Sequence, residues 1–421
     1  MKLTNLKNID PDRKIVFKNF SFLSLLRFFN VLSQYILLSY LVRTLGSQTY
    51  GIFVWAFSII QYLVITVNFG FNTYAGRYIT EYRNDPEKTN RFFSAIFISK
   101  AILFLVTSCI FLIFIHISPV LNANKEIMVV LLGFVLGEAL FPIWFFQGKE
   151  KLDIPSKIVF IFKFILVILT LVLVSDSDDL ITYALLLSMS QLLIGTFAFY
   201  KALQKFNARI IKIKTSSVKK ALREGSGFFI SGLCTKSINL LVILVAGVYF
   251  TMKDVTGFDV SFKIIAAFHL PFETLSIALF PTIARTRDKK MNQKLIQIAS
   301  AAAIILGIIA YWKADFFLSI LGGRELIAYS FLLKSLSILI PVVVITYFLG
   351  TNTLVAFGYH KEYNLSIIIP SILYIFILLI LWQTDHFTVI TVVYARILVD
   401  LLIMSLRIGF AIKYKLIFSK T

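Results

Sequence analysis

Twelve stretches, each long and apolar enough to cross a bilayer, follow one another along this chain with little between them. A crossing needs about 20 mostly apolar residues. The runs fall at 19–41, 50–73, 93–117, 126–147, 155–174, 180–200, 223–250, 257–282, 296–312, 326–356, 363–382 and 387–411. Twelve crossings occupy roughly 240 positions of the 421. About 14 remain for each connection or tail, so no sizeable extramembrane domain fits. Composition agrees: 58% of residues are apolar and 15% charged, against about 25% charged in soluble domains. The expected fold is an all-α polytopic membrane protein with about 12 transmembrane helices. Pro142, Pro271 and Pro341 interrupt three runs, which neighbouring helices can tolerate.

The net charge of +20 would suggest a nucleic-acid partner in a soluble chain. In a membrane protein it first reports orientation, because cytoplasmic loops collect Lys and Arg. With the N-terminus inside, alternate loops and tails hold thirty basic residues on that side, Arg407 counted among those at the C-terminus. Only Arg43, Lys125, Lys253, Lys313 and Arg324 fall outside. Both termini are therefore expected in the cytoplasm, and no nucleic-acid partner is expected. Met1 to Lys18 reads as an uncleaved tail, since no short apolar segment with a small-residue cleavage site precedes the first span. Cys109 and Cys234 lie in apolar runs and make no disulfide framework.

The longest polar connection, Lys201 to Arg223, lies near the midpoint. It divides the chain into an N-terminal six-helix lobe, 1–205, and a C-terminal six-helix lobe, 206–421. An offset of about 206 positions brings Tyr50-Gly51 over Thr256-Gly257. Six spans per half give both halves one orientation, a parallel pseudo-repeat of the kind that binds cargo between its halves.

Seven basic residues remain inside spans: Arg27, Lys100, Lys163, Lys236, Lys263, Lys334 and Arg396. Each costs about 2.5–3.5 kcal/mol at a helix centre, so several together imply a hydrated or ligand-filled interior. Lys100 and Lys163 lie close enough to a cytoplasmic helix end to snorkel. Arg27, Lys236 and Arg396 sit about 15–20 Å deep, and Lys263 and Lys334 are intermediate. The embedded acids are Glu138, Glu273 and Asp400. A central cavity of net positive charge suits an anion, phosphate above all. Arg27 and Lys236 are equivalents in the two halves and could together grip a diphosphate, with Lys263, Lys334 and Arg396 as further cavity residues. Arg396 and Asp400, at i,i+4, could instead pair with each other. Glu138, Glu273 and Asp400 are the candidates for exchange with a proton or Na⁺ gradient; no other cofactor is expected. His269 and Glu273 share a spacing but lack further ligands, so no metal site is expected.

Enzyme motifs are absent or better explained otherwise. Asp176-Ser177-Asp178 has the D-x-D form used to hold a nucleotide sugar, but reads as an acidic turn in a short outer loop. No G-x-x-x-x-G-K-[ST] occurs. Gly225-Ser226-Gly227 suits close helix packing. No external loop is large enough for a polymerase. The chain is not expected to be an enzyme.

More specific are Tyr40-Leu-Val-Arg-Thr-Leu-Gly46, Tyr50-Gly51-Ile-Phe53, Phe69-Gly-Phe-Asn72 and Phe141-Pro-Ile-Trp-Phe-Phe-Gln-Gly-Lys-Glu150. With Leu279-Phe-Pro-Thr-Ile283 and Gly322-Gly323 in the second half, the chain resembles the O-antigen and polysaccharide repeat-unit flippases of the Wzx type. These belong to the multidrug/oligosaccharidyl-lipid/polysaccharide exporter superfamily. The resemblance implies two six-helix lobes around a central cationic cavity in the bacterial inner membrane. It implies movement of an undecaprenyl-diphosphate-linked oligosaccharide from the cytoplasmic to the periplasmic leaflet by alternating access. Membrane lipids, a polysaccharide polymerase and a chain-length regulator are the implied partners. Arg43 and Lys149, in the motif loops, are read as packing or surface charges. The rival reading is a drug or cation antiporter of the same superfamily, against which stands the excess of embedded cations over acids.

Overall fold

A computed structural model describes residues 11–82 and 84–417, with side chains from Val31 onward. Among the described residues the regular elements are all helical. Ten helices are long and apolar enough to cross a membrane, or eleven if a bent pair counts as one span. The all-α polytopic architecture is therefore present. The first of the ten, Val31–Glu81, has 51 residues, more than one crossing needs, and is broken at Gly46, whose φ of 78° leaves helical space. Only glycine adopts such a backbone at little cost, which explains the glycine ending the Tyr40 to Gly46 motif.

The chain divides into two compact units. The first comprises residues 1–40 and 60–229. It holds the outer parts of α1 (Pro11–Asn68), then α2 (Phe71–Glu81), α3 (Pro86–Ile117), α4 (Pro119–Ala123), α5 (Lys125–Leu140), α6 (Ile143–Gly148), α7 (Asp153–Leu173), α8 (Leu180–Phe206) and the start of α9 (Thr215–Tyr249). Asp85 caps α3 by accepting from Lys88 N at 3.0 Å, with Pro86 in the first turn, where its missing N–H costs nothing. The D-x-D segment is a capping turn: Asp176 accepts from Asp178 N at 2.9 Å, and Asp179 from Ser175 N at 2.8 Å. The run expected at 126–147 breaks at Pro142 into α5 and α6. The rings of the Phe141 to Glu150 motif explain its composition, for Trp144, Phe145 and Phe146 are fully buried with Phe71, Phe93 and Phe97.

Basic connection 207–214 is an extended strap on α3: Arg209 N donates to Asn90 Oδ1 at 3.0 Å and Ile211 N to Ser94 Oγ at 2.8 Å. These bonds hold it in the first unit, whose boundary accordingly lies beyond it, at Phe229.

Helices α5 and α8 meet through small residues. A Cβ on Gly137 or Gly195 would run into the facing backbone, of Gln191 and Gly137 respectively. Gly133 and Gly137 stand four apart, the spacing that lets membrane helices approach closely. Gly195→Val should therefore destabilise the protein by about 1–3 kcal/mol through overpacking. An unfolding transition in detergent that does not move would reject this.

The second unit comprises residues 41–59 and 230–421. It holds the 41–59 segment of α1, most of α9, then α10 (Met252–Thr286), α11 (Lys289–Trp312), α12 (Ala314–Gly322), α13 (Ser330–Leu336), α14 (Leu339–Tyr347), α15 (His360–Gln383) and α16 (Val389–Lys413). Pro271 stays inside α10, and Pro341 sits in the first turn of α14. The run expected at 326–356 is not one straight span: Arg324–Leu336 and Leu339–Val355 are bent by 46°. Its last part, Phe348–Val355, is π-helical, a winding that leaves α-type bonds unmade. Buried polar side chains tie this segment to its neighbours. Asn352 bonds Ser276 through both its amide atoms, and Asn292 Nδ2 donates to Thr353 Oγ1 at 2.8 Å. Arg43 acts as a packing residue, its guanidinium donating to Ile320 O at 2.6 Å and Ser319 O at 3.1 Å. There it satisfies carbonyls at the end of α12, where a cation is also favoured by the helix dipole.

Candidate functional site

In the second unit three of the embedded cations anticipated from sequence pair with acids, and one lysine stands apart. Lys263 lies beside Asp259, one turn earlier on α10, with Nζ 2.7 Å from Oδ2. Tyr50 joins them, accepting from Lys263 Nζ at 2.9 Å and donating to Asp259 Oδ2 at 2.8 Å. Asp259 was not among the expected embedded acids. Helix α10 starts at Met252 rather than 257, which carries Asp259 into its second turn.

Arg396, 6% exposed, pairs with Asp400 and donates from Nη2 to Asn239 Oδ1 at 2.9 Å. Its guanidinium lies over the Phe262 ring at 5.9 Å. The i,i+4 pairing open to these two residues is thus formed, and Asn239 of α9 completes it. Lys334 Nζ is 3.5 Å from Asp315 Oδ1 at the surface. His269 is buried and bonds Leu339 O at 3.2 Å, while Glu273, one turn on, is exposed.

Lys236 differs. It is exposed, and among the described residues it has no hydrogen bond or ion pair. It lies twelve residues after Glu224 and thirteen before Tyr249, about 18–20 Å from each at 1.5 Å per residue. Thr235 and Asn239 beside it are exposed too, and a Cβ on Gly232, one turn earlier, would meet nothing within 4 Å. A mid-span ammonium on a polar, open helix face cannot be left against lipid without cost. The face of α9 formed by Gly232, Thr235, Lys236 and Asn239 is therefore both polar and open. Arg27 lies on α1, but its side chain is outside the described residues.

The first unit has its own polar centre around Glu138 on α5. Gln191 Nε2 donates to Oε1 at 2.9 Å and Asn68 Nδ2 to Oε2 at 3.4 Å. The charges of Lys100 and Lys163 both act on this carboxylate. Lys100 does not snorkel. It is fully buried, and its ammonium donates to Glu138 O at 2.9 Å and Phe141 O at 3.5 Å. Proline at 142 has no N–H to complete the last turn of α5, and Lys100 donates to carbonyls at that end.

Arg407 is a second departure. Counted by sequence with the cytoplasmic charges, it is 5% exposed. It donates from Nη1 to Thr346 O at 2.6 Å and from Nε to Ser366 Oγ at 3.1 Å, with its guanidinium 4.7 Å from the Tyr363 ring. Its place is against the π-helical turn, where it serves a carbonyl freed by the change of winding. Of the seven embedded cations anticipated from sequence, the four in the second unit are thus the paired Lys263, Lys334 and Arg396 and the isolated Lys236.

Residues 16–287 match a protein-family model described as Polysaccharide biosynthesis protein. The chain belongs to this family. Two relatives carry the description "Putative O-antigen transporter". One, from Escherichia coli (strain K12), is 22% identical over 406 residues, covering 95% of this chain and 97% of its own. The other, from Shigella dysenteriae, is 25% identical over 279 residues, 66% and 70% of the two chains. Among solved structures, a lipid II flippase MurJ in an inward closed conformation aligns with a TM-score of 0.75 at 13% identity, over 93% of this chain and 87% of that one. An inward-facing multidrug resistance transporter of the MATE family, in the MOP superfamily, gives 0.67 at 14% identity, over 91% and 96%. The family member shares its fold with these transporters, and the resemblance drawn from its motifs holds.

Proposed function

We propose that this multi-pass membrane protein is a flippase for an undecaprenyl-diphosphate-linked oligosaccharide, the repeat unit of an O-antigen or related polysaccharide. It moves the repeat unit from the cytoplasmic to the periplasmic leaflet of the bacterial inner membrane, with both termini cytoplasmic. The observation that carries the reading is Lys236, an exposed cation at mid-depth without a counter-ion among the described residues. Such a group suits a diphosphate, which brings negative charge through the membrane and needs charge-assisted donors there. Thr235 and Asn239 offer hydroxyl and amide groups to the sugars. Lys263 and Arg396, already balanced by Asp259 and Asp400, shape and polarise the path rather than hold the anion. A hydrated path spares the sugar hydroxyls a desolvation cost of several kcal/mol each, while the polyprenyl tail stays in lipid.

Of the acids considered for ion coupling, Glu138 and Asp400 already face cations. Glu273 is exposed on α10, and we assign the coupling proton to it. The test uses the purified full chain in vesicles loaded with a lipid-linked repeat unit. Flux should rise with an imposed pH gradient in the wild type and lose that dependence in Glu273→Gln. Flux in the wild type that ignores both pH and Na⁺ gradients would reject coupling. No flux of the lipid-linked unit at all, with normal polymer made in cells lacking the protein, would reject the flippase.

A further inference from the structure

The outer surface of the second unit carries two apolar grooves that share one ridge. One, of about 540 Å³, runs between α11, α14 and α16, with Ile304, Ile308 and Ile397 in its walls. Its floor is closed where α11 meets α14, since a Cβ on Gly307 would lie 3.2 Å from Pro341. The other, of about 480 Å³, lies between α15 and α16 and is lined by Ile377, Leu381 and Leu401. Tyr394 and Ile397 of α16 line both grooves and separate them. The side chains around the ridge, Ile304, Ile308, Ile338 and Tyr394, are exposed and almost wholly apolar. A surface of this kind at membrane depth faces acyl chains.

One end of the first groove is polar. Tyr311 and Trp312, which end α11, mark the level of the membrane interface, where such rings concentrate. Beside them Lys334 Nζ and Asp315 Oδ1 stand 3.5 Å apart, with side chains 36% and 57% exposed. The pair is open to a ligand on its outer side. It presents one positive and one negative charge side by side at the mouth of a groove for an acyl chain.

We infer that this surface is a binding site for a diacyl phospholipid with an ethanolamine headgroup. The two chains lie in the two grooves, astride Tyr394. The phosphodiester takes the Lys334 ammonium, and the lipid's own ammonium, two carbons away, takes the Asp315 carboxylate. The match lies in sign, order and spacing. A glycerol headgroup leaves Asp315 beside a phosphate with no cation of its own. A choline headgroup supplies the charge but no N–H to donate.

The test is lipid-dependent stabilisation of the purified full chain in detergent, measured as the shift in unfolding temperature. The added lipids are phosphatidylethanolamine, phosphatidylglycerol or phosphatidylcholine with the same acyl chains. In the wild type the ethanolamine lipid should act at about tenfold lower concentration than the other two, the effect of one charge-assisted contact. Asp315→Asn should bring ethanolamine and choline lipids to the same concentration. Lys334→Met, which removes the partner of the phosphodiester, should weaken all three lipids. Ile308→Trp, which fills the groove, should remove stabilisation by all three. The inference is overturned if the wild type responds equally to the three lipids, or if the ethanolamine preference survives in Asp315→Asn. Both charges are surface groups, so neither variant compromises folding, and the readout does not require transport.

Discussion

Lys236→Ala should lower the flux of a lipid-linked repeat unit by at least about tenfold, while the protein's unfolding transition stays where it was. A hydrogen bond to a charged group contributes about 1.5–3 kcal/mol, and 1.4 kcal/mol is tenfold. Stability should not change, because the side chain is exposed and has no partner among the described residues to lose. Lys236→Arg should keep most of the flux, since a guanidinium also binds phosphate, and Lys236→Glu should leave none measurable. The measurement is initial flux in vesicles at matched protein density, with unfolding followed in parallel. Wild-type flux in Lys236→Ala would remove the cation from the mechanism, and with it the main support for an anionic cargo.

The opposite pattern is expected at the Arg396–Asp400 pair. Asp400→Ala leaves a buried guanidinium without its counter-ion, which costs about 3–5 kcal/mol. Asn239 then holds the only remaining described hydrogen bond to that group. The double variant Arg396→Met/Asp400→Leu should recover most of the loss, because it removes both charges and fills the space. Thermal unfolding in detergent reads both outcomes. A single variant as stable as the wild type would mean that water reaches Arg396 despite its burial. Lys236→Ala thus tests cargo, and Asp400→Ala tests architecture.

Why one cation is isolated and the others are paired was only partly legible in the chain. Arg396 and Asp400 could be matched because both lie on one helix, four residues apart. The same rule applies to Asp259 and Lys263, but in the run expected at 257–282 Asp259 fell in the first turn and was not counted among the embedded acids. Asn239, Tyr50 and Asp315 come from other helices or from distant sequence, and no periodicity points to them. Lys100 shows the other kind of difficulty. From its position it could have reached the interface, and what draws it inward is a set of carbonyls at the break before Pro142, a contact visible only once α3 and α5 are packed. Arg407 was hidden for a similar reason, since its carbonyl partner exists only because the chain is π-wound after Tyr347.

The sequence by itself determined that the chain is helical and polytopic, and it set the expectation that basic residues gather on one side of the membrane. Each of those follows from the local balance between apolar length and polar cost, which neighbouring residues settle among themselves. The break at Gly46 and the aromatic motif after Pro142 were also written locally. What the tertiary structure alone decided is which charges are neutralised and which stay exposed. That depends on the partner a charge meets across a helix interface, and on helices approaching to within a few ångströms through residues such as Gly137 and Gly195. Within a medium where an unpaired ion is so costly, the packing of one helix on another separates a buried, paired arginine from an exposed lysine.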